Sequence, residues 1–265
     1  MNAVPQTRST AAALAPDARP VLLEVRNLGK RFGGVQAVTD VSLQLRGGIV
    51  TTLIGPNGAG KTTLFNLITG HLAPSSGDVL YQGQSISGKQ PWDIARRGVG
   101  RTFQDLRLFS RMTVEENILS ATEKSAWLWQ PGGRAAARRR REKVAEIMEA
   151  THLAPLANAR ALDLAYAERK FLSVARLIAN DANIWLLDEP ASGLDPRSYD
   201  RFVALLRSQV ANGVTVCIIE HNLDVVVNVS DRVAFLDQGK LLAEGTPREV
   251  LDDPRLASIY FGETA

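Results

Sequence analysis

Residues 51 to 63 read Thr-Thr-Leu-Ile-Gly-Pro-Asn-Gly-Ala-Gly-Lys-Thr-Thr, and they carry a short β-branched run through a glycine-rich turn into the apolar stretch Leu64 to Ile68. The order is strand, loop, helix, with the spacing G-x-x-x-x-G-K-T. Gly55, Gly58 and Gly60 let the backbone curl so that successive N–H groups converge, and the following helix adds the positive end of its dipole. Such a cradle suits the phosphates of a nucleoside triphosphate. Lys61 supplies a point charge for the β- and γ-phosphates, and the Thr62 hydroxyl is a Mg²⁺ ligand. Pro56, Asn57, Ala59 and Thr63 complete the expected contact surface.

The 265 residues are long enough for one large α/β domain or for a core with an inserted subdomain. A net charge of +3 is only mildly basic and falls short of a nucleic-acid signature. The single cysteine, Cys217, excludes an internal disulfide framework or a cysteine-cluster zinc site. It lies in the apolar run Val214 to Ile219 and reads as a buried strand thiol in a reducing cytoplasm. No apolar stretch approaches the roughly 18 to 20 residues that span a bilayer. Residues 1–20, rich in Ala, Pro, Thr and Arg, read as a disordered tail, their apolar tract Ala11 to Ala15 being too short for a secretory signal.

Val21 to Val25 and Val38 to Leu45 alternate in part and read as strands of a small sheet, with Lys30 to Gly34 as the loop between them. Phe32 falls in that loop, where it either stacks on a nucleotide base or tucks into local packing. Asp78 to Tyr81 reads as a strand, and Val99 to Gln104 as an extended piece ending in an amide. From Thr113 to about Thr151 the pattern is helical, interrupted by Pro131-Gly132-Gly133. The basic run Arg138 to Arg141, followed by Glu142, Lys143 and Glu146, reads as a solvated helix face rather than a nucleic-acid contact.

Ile184 to Leu187 is wholly apolar and closes on Asp188-Glu189-Pro190. Val214 to Ile219 ends at Glu220-His221, and Val233 to Leu236 precede a turn over Asp237 to Lys240. Unbroken apolar runs mark strands buried on both faces, so the chain is predicted to be α/β with a largely parallel sheet. Ligands gather at the carboxyl ends of such strands, where the phosphate loop, Asp188-Glu189 and His221 are all expected. Asp188 suits holding Mg²⁺, Glu189 orienting or deprotonating the attacking water, and His221 contacting the γ-phosphate.

In order and spacing these segments resemble the nucleotide-binding subunits of ABC transporters, from about Val21 to Gly262. Gly55 to Thr63 is similar to Walker A, Gln104 to the Q-loop and Ile184 to Glu189 to Walker B. Ser192-Gly193-Leu194-Asp195 is similar to the D-loop, and His221 to the switch histidine. Arg101 to Gln104, Arg107-Leu108-Phe109, Met112-Thr113-Val114 and Ile259-Tyr260-Phe261-Gly262 resemble the LivG-type ATPases of branched-chain amino acid importers. The resemblance implies a P-loop, RecA-like core, a small antiparallel sheet holding Phe32 against adenine, and a helical subdomain over about 105–176. Residues 21–262 would form the whole domain and 263–265 a tail. ATP and Mg²⁺ are the implied cofactors, with Thr62, Gln104 and Asp188 around the metal. Two subunits would sandwich ATP head to tail, the second being a LivF-like partner or another copy. Two membrane permease subunits would dock near Gln104 and the helical subdomain, at the inner face of the membrane. A periplasmic binding protein would deliver the cargo.

One segment departs from the family pattern. Its signature, Leu-Ser-Gly-Gly-Gln, stands here as Leu164-Ala165-Tyr166-Ala167-Glu168, without the serine hydroxyl and with a negative charge at the end. Losing one hydrogen bond to a charged group costs about 1.5–3 kcal/mol, which weakens the partner's site rather than this chain's own. Two other readings compete with the transport ATPase. One is a soluble ABC ATPase outside transport, disfavoured by a single nucleotide-binding half and one cysteine. The other is an ATP-binding assembly module that barely hydrolyses, suggested by Ala165, Ala167 and Glu168.

Overall fold

The computed structural model describes residues 15–122 and 133–261. In chain order the elements are β1 (Val21–Phe32), β2 (Val35–Arg46), β3 (Val50–Ile54), α1 (Lys61–Ile68), β4 (Ser76–Tyr81), β5 (Gln84–Ser85), α2 (Pro91–Arg96), β6 (Val99–Arg101), α3 (Val114–Ala121), α4 (Gly133–Ala150), α5 (Tyr166–Ala179) and β7 (Ile184–Asp188). They continue with α6 (Pro196–Ala211), β8 (Thr215–Ile219), α7 (Leu223–Val229), β9 (Arg232–Asp237), β10 (Lys240–Gly245), α8 (Pro247–Leu251) and α9 (Pro254–Phe261).

A six-stranded sheet runs β10-β9-β3-β8-β7-β6, parallel throughout except for β10. Side chains of its central strands alternate between two apolar layers. Trp185, Leu187, Val216 and Ile218 pack with α3, α4, α5 and α6. Ile184, Leu186, Cys217, Ile219 and Leu53 face α1 and the second sheet. Cover on both faces is why these strands read as unbroken apolar runs. Cys217 is sealed in this core, and burial pushes its thiol up to about 12. The second sheet is antiparallel, β2-β1-β4-β5, with Leu23, Val25, Leu43, Leu45 and Val79 turned onto the same layer.

Several boundaries differ from the sequence reading. β1 and β2 are longer than expected, so Gly33-Gly34 alone turn the hairpin, and Phe32 ends β1 instead of lying in a loop. β6 stops at Arg101: Thr102 N–H makes a last bond to the Leu186 carbonyl before the chain leaves the sheet. Among the described residues the stretch over Thr113 to Thr151 holds two helices, α3 and α4, and Gly133, expected in the break, begins α4. Pro131 and Gly132 lie outside the described residues. Of the expected tail, residues 1–14 lie outside them too, whereas residues 15–20 are tied down. Asp17 pairs with Arg232, the Arg19 guanidinium donates to the Gly48 carbonyl at 2.7 Å, and Arg46 donates to the Arg19 carbonyl at 3.0 Å. Residues 263–265 lie outside as well. Arg138 to Arg141 are exposed, with Arg138 bonded to Glu142 at 2.7 Å one helical turn on.

Several helix starts carry side-chain caps. Thr113 and Glu116 form a reciprocal box at α3, Asp195 accepts from Ser198 N–H at α6, and Thr246 and Glu249 cap α8. The fully buried Asn117 then closes the segment ahead of α3, accepting from Phe109 N–H and donating to the Phe109 and Thr113 carbonyls, all within 3.0 Å. Truncating a strand side chain in the central layer is expected to cost more than any surface change. Leu186→Ala, at a fully buried β7 position, is expected to lower stability by about 2–5 kcal/mol, read as a lower urea midpoint at unchanged m. Val35→Ala, at the exposed hairpin end, is expected to stay within about 0.5 kcal/mol.

Candidate nucleotide-binding site

β3, β8 and β7 are neighbours in parallel register, so their carboxyl ends lie side by side. The first opens into the phosphate loop, the second into Glu220-His221 and the third into Asp188-Glu189. Sequence reasoning placed these three segments at strand ends; the strand order adds that they are adjacent.

The loop has no slack. Gly55 adopts φ +144°, and a Cβ there would stand 1.8 Å from the Leu236 carbonyl oxygen; Gly60 adopts φ +101°, and a Cβ would stand 2.5 Å from the Ala37 carbonyl oxygen. Glycine is the residue that meets both demands. Gly60 is also the N-cap of α1 and brings no side chain to it, so the first-turn N–H groups of the helix remain available to a ligand. Lys61 Nζ donates to the Gly55 and Pro56 carbonyls at 2.6 and 2.9 Å, folding the lysine over the loop. Burial pushes its pKa down, and the charges of Glu189 and Asp188 oppose that shift. Asn57, Gly58 and Thr62 are exposed, Ala59 is buried, and Pro56 and Thr63 are half-buried. A cradle of glycines, free helix-end amides and a lysine fits a triphosphate.

Behind it, Glu189 Oε1 lies 3.1 Å from His221 Nε2, which brings the expected base and switch histidine into contact. Asp188 is buried. Its Oδ2 accepts from Arg101 Nη2 at 3.2 Å, while Arg101 Nη1 donates to Asn66 Oδ1 at 2.6 Å. Burial raises the Asp188 pKa and the Arg101 charge holds it down. Arg101 also lies over the rings of Phe65 and Phe103, with its guanidinium carbon 5.4 and 4.7 Å from their centroids. Asp188 and Glu189 line one cavity with Gln104 and Tyr166. Among the described residues no cluster of three or more His, Cys, Asp or Glu side chains makes a metal cage. The oxygen set of Thr62, Gln104 and Asp188 suits Mg²⁺, which takes one or two carboxylates and leaves its other positions to water and substrate phosphates.

Phe32 is exposed at the hairpin end, with Lys30 Nζ 5.1 Å from its ring centre. The same hairpin carries Ala37 against Gly60. The segment Leu164 to Glu168 leads into α5. Leu164 is buried, Ala165 and Tyr166 are exposed, and Glu168 turns back so that its carboxylate accepts the Ala165 N–H at 2.7 Å. Ala165 has no hydroxyl to offer in exchange. In the next segment Ser192 and Gly193 are exposed and Leu194 is half-buried. The Tyr166 ring packs against Gly193, and Asp195 caps α6. Four residues near the site escaped the sequence reading as functional groups: Arg101, Lys170, Glu220 and Tyr260. Tyr260, within the Ile-Tyr-Phe-Gly string, donates its hydroxyl to the His221 carbonyl at 2.6 Å. Glu220 could have been found as a charge directly after a buried apolar strand.

Comparison with known proteins shows what the chain is similar to. The family model described as ABC transporter matches residues 38–192. The chain is 42% identical over 255 residues to the high-affinity branched-chain amino acid transport ATP-binding protein BraF of Pseudomonas aeruginosa, covering 92% of this chain and 99% of that protein. It is 40% identical over 252 residues to LivG of Escherichia coli, described in the same terms, covering 91% and 98% of the two chains. A crystal structure of an ATP-binding cassette of an ABC transporter in its ADP conformation superposes with a TM-score of 0.81 at 32% identity, over 92% of this chain and all of that one. Among the described residues no helix is long and apolar enough to cross a membrane.

Removing Arg101 is expected to strand the Asp188 carboxylate, since both side chains are less than a tenth exposed. Arg101→Met should therefore cost about 3–5 kcal/mol in a urea titration, and adding Asp188→Asn should recover part of that loss. Strict additivity of the two changes would show that the pair is not coupled.

Proposed function

The chain belongs to the ABC transporter family of ATP-binding proteins, and on that footing we propose that it hydrolyses ATP to power an importer of branched-chain amino acids or a related small solute. The observation that carries the reading is the adjacency of the phosphate loop, the buried Asp188 and the Glu189–His221 contact at three neighbouring strand ends. Gly55 to Thr63 hold the triphosphate through main-chain amides and Lys61, and Phe32 stacks on the base. Thr62, Asp188 and Gln104 hold Mg²⁺, which when bound neutralises charge on the β- and γ-phosphate oxygens. Glu189 orients the attacking water and takes its proton. His221, held to Glu189 at one end and through its carbonyl to Tyr260 at the other, is placed to touch the γ-phosphate.

Residues 21–262 are the ATPase domain in this reading, with about 105–176 as its helical subdomain. Its partners are a second ATPase, LivF-like or a further copy, and two permease subunits at the inner face of the membrane, supplied by a periplasmic binding protein. Leu164 to Glu168 and the D-loop residues Ser192 to Asp195 face the partner's nucleotide. Ala165 lacks the hydroxyl and Glu168 spends its carboxylate on its own helix, so the defect falls on the partner's site while this chain's site keeps its full set. A second reading, an ATP-binding module with little turnover, is favoured by the same two residues and opposed by the intact Glu189–His221 contact.

Lys61→Ala is expected to abolish uptake of Mg-ATP by the purified chain. Glu189→Gln should keep nucleotide binding and lower hydrolysis by about 10²–10⁴-fold. In the mixed pair, Glu189→Gln here should cost more ATPase activity than the matching change in the partner, and equal losses would count against the asymmetry.

A further inference from the structure

Two buried ionisable side chains bond the same short segment after β7. Lys170 lies in α5, 7% exposed, and its Nζ donates to the carbonyls of Glu189, Pro190 and Ser192 at 2.7, 3.1 and 2.5 Å. All three ammonium protons are thereby used, and none goes to a carboxylate. Glu220, 3% exposed at the end of β8, accepts the Ala191 N–H at 3.1 Å and the His221 N–H at 3.4 Å. The short segment Glu189 to Ser192 is thus held through its carbonyls by the Lys170 side chain and through an amide by the Glu220 carboxyl group, whose pKa burial raises. Burial lowers the Lys170 pKa, opposed first by Glu220 and then by Glu189.

Glu189 needs such restraint. It adopts φ +47°, the left-handed region that a residue with a side chain rarely enters, so the surrounding contacts must impose the conformation that aims its carboxylate at His221. Lys170 takes hold of that residue's own carbonyl. It also lies one turn along α5 from Tyr166, whose ring centre is 5.1 Å from Nζ and whose edge packs on Gly193. The first turn of α5 and the segment after β7 are therefore joined through one ammonium group.

We propose that Lys170 and Glu220 form a buried clamp that positions Glu189 and His221 for hydrolysis and links the Leu164–Glu168 loop to them, resting on the ATPase reading above. Both are positioning residues: Lys170 bonds the carbonyls of residues 189, 190 and 192, and Glu220 the amides of Ala191 and His221, so each acts through the main chain. The clamp acts on main-chain geometry, so its loss moves turnover and leaves nucleotide uptake in place.

Full-length Lys170→Met, Lys170→Arg and the double variant Lys170→Met/Glu220→Gln test this, with kcat and KM measured for Mg-ATP and affinity for a fluorescent ATP analogue. Lys170→Met is expected to lower kcat by about 10–100-fold, the scale of a small misplacement of reacting groups, with analogue affinity changed less than about threefold. Lys170→Arg, which can donate to the same carbonyls, should recover several-fold of that loss. The double variant, with no unpaired buried charge left, should be as slow as Lys170→Met and decides the matter if the single variant does not fold. A kcat near the wild-type value in either folded methionine variant overturns the clamp, as does a loss carried by weaker analogue binding or an arginine variant no better than methionine. Lys61→Ala in parallel separates the two ideas: unimpaired analogue binding there overturns the ATPase reading, whereas loss of binding there beside a normal Lys170→Met kcat overturns the clamp alone.

Discussion

The two ends of the phosphate loop, Gly55 and Gly60, lie so close to other main chain that neither position admits a Cβ. At one end Gly55 lies against the Leu236 carbonyl at the end of β9, and at the other Gly60 lies against the Ala37 carbonyl of β2. Thr39 N–H also bonds the Gly239 carbonyl, and Gly239 N–H bonds the Ala59 carbonyl. The antiparallel sheet, the loop and the β9–β10 turn are therefore fastened at one point, which sets the hairpin carrying Phe32 over the cradle. A methyl group at either glycine would push against main chain, which cannot swing aside as a flexible side chain can.

Around that point two buried side chains, Asp188 and Lys61, have opposite charges nearby. Asp188 is raised by burial and held down by Arg101, and Lys61 is lowered by burial and supported by Glu189 and Asp188. Arg101 is in turn braced by Asn66 on α1 and by two aromatic rings. The segment after β7 is gripped by Lys170 and Glu220. Charges this far from water interact more strongly than surface pairs and tolerate little displacement. Asp188 and the segment after β7 thus rest on further charged groups, Arg101, Lys170 and Glu220, that bond them directly.

Much of the nucleotide-facing layer could be read from the chain because it is local. A glycine loop followed by Lys61-Thr62, or an apolar strand ending in Asp188-Glu189, carries its meaning within a few residues. His221 and Cys217 were legible for the same reason, each being tied to an apolar strand run. The supporting layer is made of contacts between distant segments. Lys170 sits among Arg169, Phe171 and Arg176 and reads as an ordinary helix lysine until the fold brings residues 189–192 to it. Arg101 shows no role until β6 is paired with β7. The hairpin length was missed because register shifts at Leu28/Lys30 and Lys30/Arg31 break the strand period, and the end beyond them is exposed on both faces. Glu168 was legible as a charge but not as a cap, because its direction depends on where α5 begins.

The neighbouring parallel strands have a further effect. Hydrogen-bonded strands lie about 4.8 Å apart, so stepping from β3 across β8 to β7 sets the lateral distance between triphosphate grip and acidic pair at about two such steps, with the histidine on the rung between. That interval is dictated by backbone bonding and is indifferent to which apolar side chains fill the layers above and below. The sheet serves as a ruler for the site: its core can be repacked without changing the gauge, and only a slip in strand pairing would.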